Sequence, residues 1–272
     1  MSTGQTHAAP LTDVVIGAGS GMGAAAAARL AGTGRRLLLA DRDLEAAQVV
    51  ANSLNGDEVV AQTCDIADAA AVGDLVAATG TLGRLIVTAG LSPNMADGRR
   101  IMEINLVAMD GLVRQFERVI GRGSVAVVFA SMAARSMPAD PSVDALIDDP
   151  ASPAMIEGLE TLGLLSHPGL AYAVSKRGVV RMVERRAGTW GAAGARLVSV
   201  SPGIINTPMG RLEAANEPAM ADMVANSALR REGRPEEVAA VAVFLASEAA
   251  SFITGTDVLV DGGEIAAQVH PA

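Results

Sequence analysis

The sequence predicts a doubly wound α/β domain, a parallel sheet covered by helices on both faces. Three observations lead there. Short apolar runs of strand character alternate with helix-length stretches along the chain. The inner runs are apolar throughout, as strands buried on both faces must be. A glycine-rich turn joins the first run to an Ala-rich helix, and a β, α, β, α rhythm of this kind implies right-handed crossovers between parallel strands.

In order, the strand runs are Thr12–Ile16, Arg36–Ala40, Glu58–Thr63, Arg84–Thr88, Ser124–Ala130, Arg196–Ser201 and Asp257–Val260. Leu85-Ile86-Val87 and Val125-Ala126-Val127-Val128-Phe129 show the unbroken apolar character best. No internal repeat or low-complexity linker divides the chain, so one domain is expected over residues 12–272 behind a disordered tail at 1–11. The rhythm breaks once, in the proline-spaced stretch 136–169. There Asp140-Pro141 and Ser152-Pro153 each read as an N-cap followed by proline at the first helical position, which predicts two short helices. Met155, Ile156, Leu159, Leu162 and Leu165 recur at helical spacing and form an apolar face. That face must lie on the body, on a partner subunit or over a ligand, and the expectation is a small helical cap.

At 272 residues and 27.6 kDa the chain suits one large domain. Hydrophobic residues are 50% of it and aromatics only 2%, so the core must be built from Ala, Val, Leu and Ile in closely packed layers. A net charge of −9 repels nucleic acid and anionic membrane surfaces and leaves a small molecule as the expected partner. The polar stretch Met1–Pro10 does not read as a signal peptide, and no apolar run approaches the roughly 20 residues that span a bilayer. A soluble, cytoplasmic protein is expected. The single cysteine, Cys64, reads as a core residue, and His7, His167 and His270 are too scattered to hold a metal.

The turn after the first strand reads Gly17-Ala18-Gly19-Ser20-Gly21-Met22-Gly23 and runs into helix Ala24–Ala31. Glycines there let the backbone approach a pyrophosphate, whose charge is met by amide N–H groups at the helix start. The simpler alternative is a tight strand-to-helix turn. The next strand ends in Asp41, about 24 residues after Gly17, where a carboxylate can accept both hydroxyls of an adenosine ribose. It would repel a 2′-phosphate, and Ser20 is not a basic residue that would attract one, so NAD is expected over NADP. Arg42 is the counter-argument, and a helix N-cap is the alternative role for Asp41, though Asp43 could fill that equally well.

Tyr172 is the only tyrosine, and Lys176, four residues on, is the only lysine among 21 basic residues. That spacing places both on one face of a helix. A free tyrosine is a poor base at neutral pH, and a neighbouring ammonium favours the phenolate. The alternative is a core tyrosine beside a surface lysine.

With these residues in view the chain resembles the short-chain dehydrogenase/reductase family, over essentially everything after the first eleven residues. Gly17-x-x-x-Gly21-x-Gly23, Asp65-Ile66, Ala89-Gly90, Asn105, Ser131, Tyr172-x-x-x-Lys176 and Pro202-Gly203-x-x-x-Thr207 follow the family's order. The resemblance implies a Rossmann-type sheet, with Tyr172 as acid/base and Ser131 holding the substrate oxygen. It also has Lys176 bind the nicotinamide ribose and lower the tyrosine pKa, while Asn105 supports a water relay. Asp65 and Ile66 would meet the adenine, Ala89 and Gly90 the ribose side, and Ile205 and Thr207 the carboxamide. Each has an ordinary alternative: Asp65 in a turn, Ser131 as a strand-end hydroxyl, Asn105 as a buried amide, Thr207 as a helix N-cap. Ile16 and Thr88 depart from the family, which usually has Thr and Asn there, so some cofactor hydrogen bonds must be remade. Leu170-Ala171-Tyr172-Ala173-x-Ser175-Lys176, Trp190-Gly191-x-Ala193-Gly194-x-Arg196-Leu197 and the insertion are similar to bacterial 3α-hydroxysteroid dehydrogenase/carbonyl reductases.

With NAD expected from Asp41, the leading expectation is reversible oxidation of a secondary alcohol to a ketone, and the resemblance implies a homodimer or homotetramer. The alternatives are a β-ketoacyl or quinone-type carbonyl reductase using NADPH, and a dinucleotide-sensing protein without catalysis.

Overall fold

The computed structural model describes residues 11–55, 58–217 and 219–270. The first half runs β1 (Leu11–Ile16), α1 (Gly21–Leu30), β2 (Arg36–Asp41), α2 (Leu44–Ser53), β3 (Val59–Thr63), α3 (Ala69–Thr79), β4 (Thr81–Val87) and α4 (Gly98–Met102). A π-helical turn at Glu103–Ala108 links α4 to α5 (Met109–Phe116), and β5 (Val125–Phe129) follows. Then come α6 (Pro141–Ile147), α7 (Pro153–Thr161), the long α8 (Pro168–Ala192), β6 (Arg196–Pro202), α9 (Pro208–Asn216), α10 (Ala219–Asn226), α11 (Pro235–Leu245), β7 (Asp257–Val260) and α12 (Glu264–Val269).

Among the described residues seven strands form one parallel sheet, in the order β3-β2-β1-β4-β5-β6-β7. The order reverses between β1 and β4, and ligands of such sheets bind in the crevice outside the carboxyl ends at that point. Alternate residues of each strand enter the two cores. Val14, Ile16, Leu38, Leu85 and Val87 face α4, α5 and α8, while Val15, Leu37, Leu39, Ile86 and Val127 face α1 and α11. Small residues make this layering close, as in the packing of α1 through Ala26 and Ala27.

Two boundaries differ from the sequence reading. Leu11, expected in the tail at 1–11, is instead the first residue of β1 and pairs with Thr81; Met1–Pro10 lie outside the described residues. β4 starts at Thr81, not Arg84, and runs past Gly83, whose lack of a side chain leaves room for the Asp13 carboxylate.

Stretch 136–169 forms two helices. Asp140 accepts hydrogen bonds from the amides of Ser142 and Val143, and Ser152 accepts one from Ala154. Both helices pack on the body, one of the placements the sequence leaves open for their apolar face. Met155, Leu159 and Leu165 are buried in one cluster with Ile101, Met102 and Val174, whereas Leu162 is 50% exposed. Asp144 of α6 and Asp148, its C-cap, accept from Arg177, Arg181 and Arg185 on α8, at 2.6 Å for Arg177 Nε and 2.7 Å for Arg181 Nε. That ridge lies away from the face bearing Tyr172 and Lys176. The apolar face and the ion pairs both hold the helices to the body.

Candidate active site

The site is built where strands end and helices begin. Gly17, with φ +85°, turns the chain out of β1 and donates its amide to Ala40 O at 2.8 Å. A side chain at Gly23 would come within 2.0 Å of Gly17 O, so turn and helix pack backbone to backbone. Thr88, just past β4, secures the same turn: its hydroxyl donates toward Ile16 O and Gly17 O at 3.1 Å each.

Asp41 ends β2 with both carboxylate oxygens oriented by backbone. Oδ2 accepts from Gly19 N at 2.8 Å and Oδ1 from Asp43 N at 3.0 Å. Asp43, not Asp41, caps α2, accepting from Ala46 N. The Asp41 carboxylate is therefore left lining a groove of about 550 Å³ together with Ser20, Gly21, Met22, Arg42, Asp65, Ile66, Ala89 and Gly90. Gly19, which the motif reading passed over, holds Asp41 in place. Ser20, the N-cap of α1, makes no side-chain bond to the first helical turn, so the groove begins at a helix start free to receive an anion. The groove fits a dinucleotide.

Beyond it lies a chamber of about 460 Å³, lined by Ser131, Tyr172, Lys176 and Ile205. Met22, Thr88, Gly90, Thr207 and Met209 border both spaces, which makes groove and chamber continuous. Tyr172 and Lys176 share one face of α8, the ammonium 5.6 Å from the ring centre, and Lys176 Nζ donates to Phe129 O at 3.0 Å. Burial pushes the Tyr172 phenol up to about 12, with the Ser131 hydroxyl pulling it down and the Glu213 carboxylate raising it. Burial lowers Lys176 to about 8, against the raising effect of Glu213.

Asn105 is buried behind the chamber in the π-helical turn, a device often found at functional sites. Its amide exchanges two bonds with the Leu91 backbone, accepting at 2.7 Å and donating at 2.9 Å. Ser131 caps the 3₁₀ turn Met132–Arg135 and Thr207 caps α9, so each has its ordinary structural role while also lining the site. Asp65 likewise accepts from Ala67 N in a turn at the groove. Cys64, buried beneath it, has its thiol pushed up to about 11 by burial.

Of the insertion, only His167, Pro168 and Gly169 reach the chamber. A further wall comes from α9 and α10, through Gly210, Glu213, Met220 and Met223, and from Glu217 between them. Sequence reasoning missed Glu213. The available signal was Thr207-Pro208, an N-cap and first-turn proline that announce a helix starting directly at the site.

Fold and site together define a dinucleotide-dependent oxidoreductase, and comparison with known proteins supplies the family. Residues 12–141 match the family described as short chain dehydrogenase, and residues 159–264 that described as Enoyl-(Acyl carrier protein) reductase. The chain is 36% identical to short-chain dehydrogenase/reductase bsc3 of Alternaria brassicicola, over 94% of this chain and 96% of the relative. It is 33% identical to D-threitol dehydrogenase of Mycolicibacterium smegmatis (92% and 91% covered) and 28% identical to the 3-alpha-hydroxysteroid dehydrogenase/carbonyl reductase of Comamonas testosteroni (92% and 95%). The solved structure of BdcA in complex with NADPH matches with a TM-score of 0.72 at 27% identity, covering 93% of each chain. The chain belongs to the short-chain dehydrogenase/reductase family, whose members are oxidoreductases acting on alcohols and ketones with a nicotinamide dinucleotide. Among the described residues no helix is long and apolar enough to cross a membrane.

Proposed function

We propose that the protein interconverts a secondary alcohol and a ketone with NAD, on a hydroxysteroid-like or other cyclic substrate. The observation that carries this reading is the meeting of the lone tyrosine, the lone lysine and Ser131 in a chamber continuous with the groove that displays Asp41. A nicotinamide held beside Ile205 and Thr207 would supply hydride acceptor or donor chemistry. Tyr172 Oη moves the proton of the reacting oxygen, Ser131 Oγ holds that oxygen, and the Lys176 ammonium stabilises negative charge on the phenol oxygen. A phenol held up near 12 is protonated at neutral pH, the form that serves ketone reduction directly. Asn105, buried and fixed by Leu91, supports the proton path from behind.

Gly17, Ser20, Gly21, Met22 and Gly23 would take the pyrophosphate, Asp41 the adenosine ribose, and Asp65 and Ile66 the adenine. Ala89, Gly90, Ile205 and Thr207 would flank the nicotinamide half. Asp41 supports NAD, because a 2′-phosphate beside a fixed carboxylate meets like charge at close range. A carbonyl reductase using NADPH is the second reading, favoured by Arg42 on the exposed rim and by the NADPH in BdcA. We also infer a cytoplasmic homodimer or homotetramer; the exposed Phe244 and Phe252 support self-association.

The test is the initial rate with NAD and with NADP over steroid, terpenoid and simple cyclic alcohols. NAD is expected to be preferred, and Asp41→Ser to move the ratio toward NADP by about tenfold or more. A wild-type protein faster with NADP would replace the first reading by the second.

A further inference from the structure

Helix α9 has no fully buried residue, yet its side chains divide between the two spaces. Pro208 and Leu212 border the dinucleotide groove, Gly210 and Glu213 border the chamber, Met209 borders both, and Glu217, just past the helix, also lines the chamber. Glu213 is half-buried, and much of the surrounding wall is apolar: Leu91, Phe129, Ile204, Met220 and Met223. Burial raises its pKa, and the attraction of Lys176 does not offset that. Ser92, 1% exposed, has no formed hydrogen bond through Oγ among the described residues, yet its hydroxyl is near enough to pull the Glu213 pKa down. A buried hydroxyl without a formed partner is costly, and the Glu213 carboxyl it acts on borders the space a substrate enters. The methionines give an adaptable apolar wall that tolerates differently shaped carbon frames. A carboxylate set in such a wall fixes orientation by accepting a hydrogen bond and repels a second anion.

We propose that Glu213 determines substrate specificity, and that the preferred substrate is a secondary alcohol on an apolar frame bearing a second hydroxyl. That second O–H donates to the Glu213 carboxylate while the reacting carbinol lies at Tyr172 and Ser131. Alcohols bearing a carboxylate in place of the second hydroxyl are excluded by like charge. The assignment rests on the alcohol-oxidising reading of the chamber given above.

The experiment compares cyclohexanol, the isomeric cyclohexanediols and the isomeric hydroxycyclohexanecarboxylates by kcat/KM in wild type, Glu213→Gln and Glu213→Asp. Wild type should prefer the best diol to cyclohexanol, and cyclohexanol to the best hydroxy acid, by about tenfold each. In Glu213→Gln the diol-to-hydroxy-acid ratio should fall by about tenfold or more, while Glu213→Asp keeps the wild-type order. Ratios within one variant cancel any general loss of activity or folded protein. A Glu213→Gln ratio within about twofold of wild type, or a wild type that prefers the hydroxy acids, overturns the assignment. If wild type oxidises none of these alcohols with NAD or NADP, the oxidoreductase reading fails instead. Dissociation constants of the same compounds, measured by calorimetry with NAD present, then decide the role of Glu213 by the same ratio.

Discussion

Both ends of the sheet bury charge, but they treat it in opposite ways. At the amino ends of the strands, Asp13 is 1% exposed and fully engaged. It accepts from Arg84 N at 2.9 Å, from Arg84 Nε at 2.8 Å and from Arg35 at 3.2 Å. At the carboxyl ends, Lys176 has one carbonyl bond, Ser92 Oγ has no formed bond, and Glu213 and Tyr172 are raised in pKa by burial. Burial of charge therefore does not mark a site. What distinguishes the two ends is whether the bonding capacity of the charged groups is already used: where it is used it gives stability, and where it is left over it is available to a ligand.

The largest effect that could break this comparison is at Tyr172. Tyr172→Phe deletes a hydroxyl and little packing, so turnover should fall by about 10²–10⁴ or more while NAD affinity and melting temperature stay near wild type. Substantial residual turnover in a folded variant would remove the proton carrier from the scheme. The opposite end should respond in stability. Asp13→Ala leaves the partly buried Arg84 with Thr33 but without its carboxylate, which should cost about 3 kcal/mol in denaturant unfolding. Below its melting temperature the variant should keep kcat/KM within about twofold of wild type. A folded Asp13→Ala protein with lost catalysis would show that the two ends are not independent.

How much of this was legible in the sequence depends on the range of the interactions. The seven strands, the glycine turn, Asp41 and the Tyr172/Lys176 pair all follow local rules of periodicity and spacing, and each can be read within a few residues. The N-caps at Asp140 and Ser152 are equally local. The direction in which the insertion packs is not, because the same apolar face serves a body, a partner or a ligand. Only the clamp of Asp144 and Asp148 by Arg177, Arg181 and Arg185, more than thirty residues away, decides it. Gly19 was hidden because its role depends on the Asp41 oxygen 2.8 Å from its amide. Glu213 was hidden for a similar reason: nothing in the sequence near α9 states that its inner side meets Tyr172 and Lys176.

The smallest predicted effect sharpens the comparison at its functional end, through the pH dependence of Glu213→Gln. Burial sets the main shifts, raising Tyr172 to about 12 and lowering Lys176 to about 8, and the negative charge of Glu213 raises both. Removing that charge lowers both, so each ionisation should move to lower pH. Alcohol oxidation requires the phenol to give up its proton, so log kcat/KM for oxidation should begin its alkaline rise at lower pH than in wild type. At any one pH the change should stay below about tenfold. Stability gives a second readout of opposite origin. Lys176 is lowered from 10.5 in the unfolded chain to about 8 in the native protein, so between those values the unfolded state binds more protons and stability rises with pH. Tyr172 is raised from 10.0 to about 12, so above pH 10 the native state holds the extra proton and stability falls as pH climbs toward 12. In Glu213→Gln the Lys176 rise should start at lower pH, visible as a higher denaturation midpoint relative to wild type at pH just below 8 than at neutral pH. A pH–rate profile and a stability curve superimposable on wild type would mean that the carboxylate does not act on the pair, and that the chamber wall contributed by α9 is electrostatically silent.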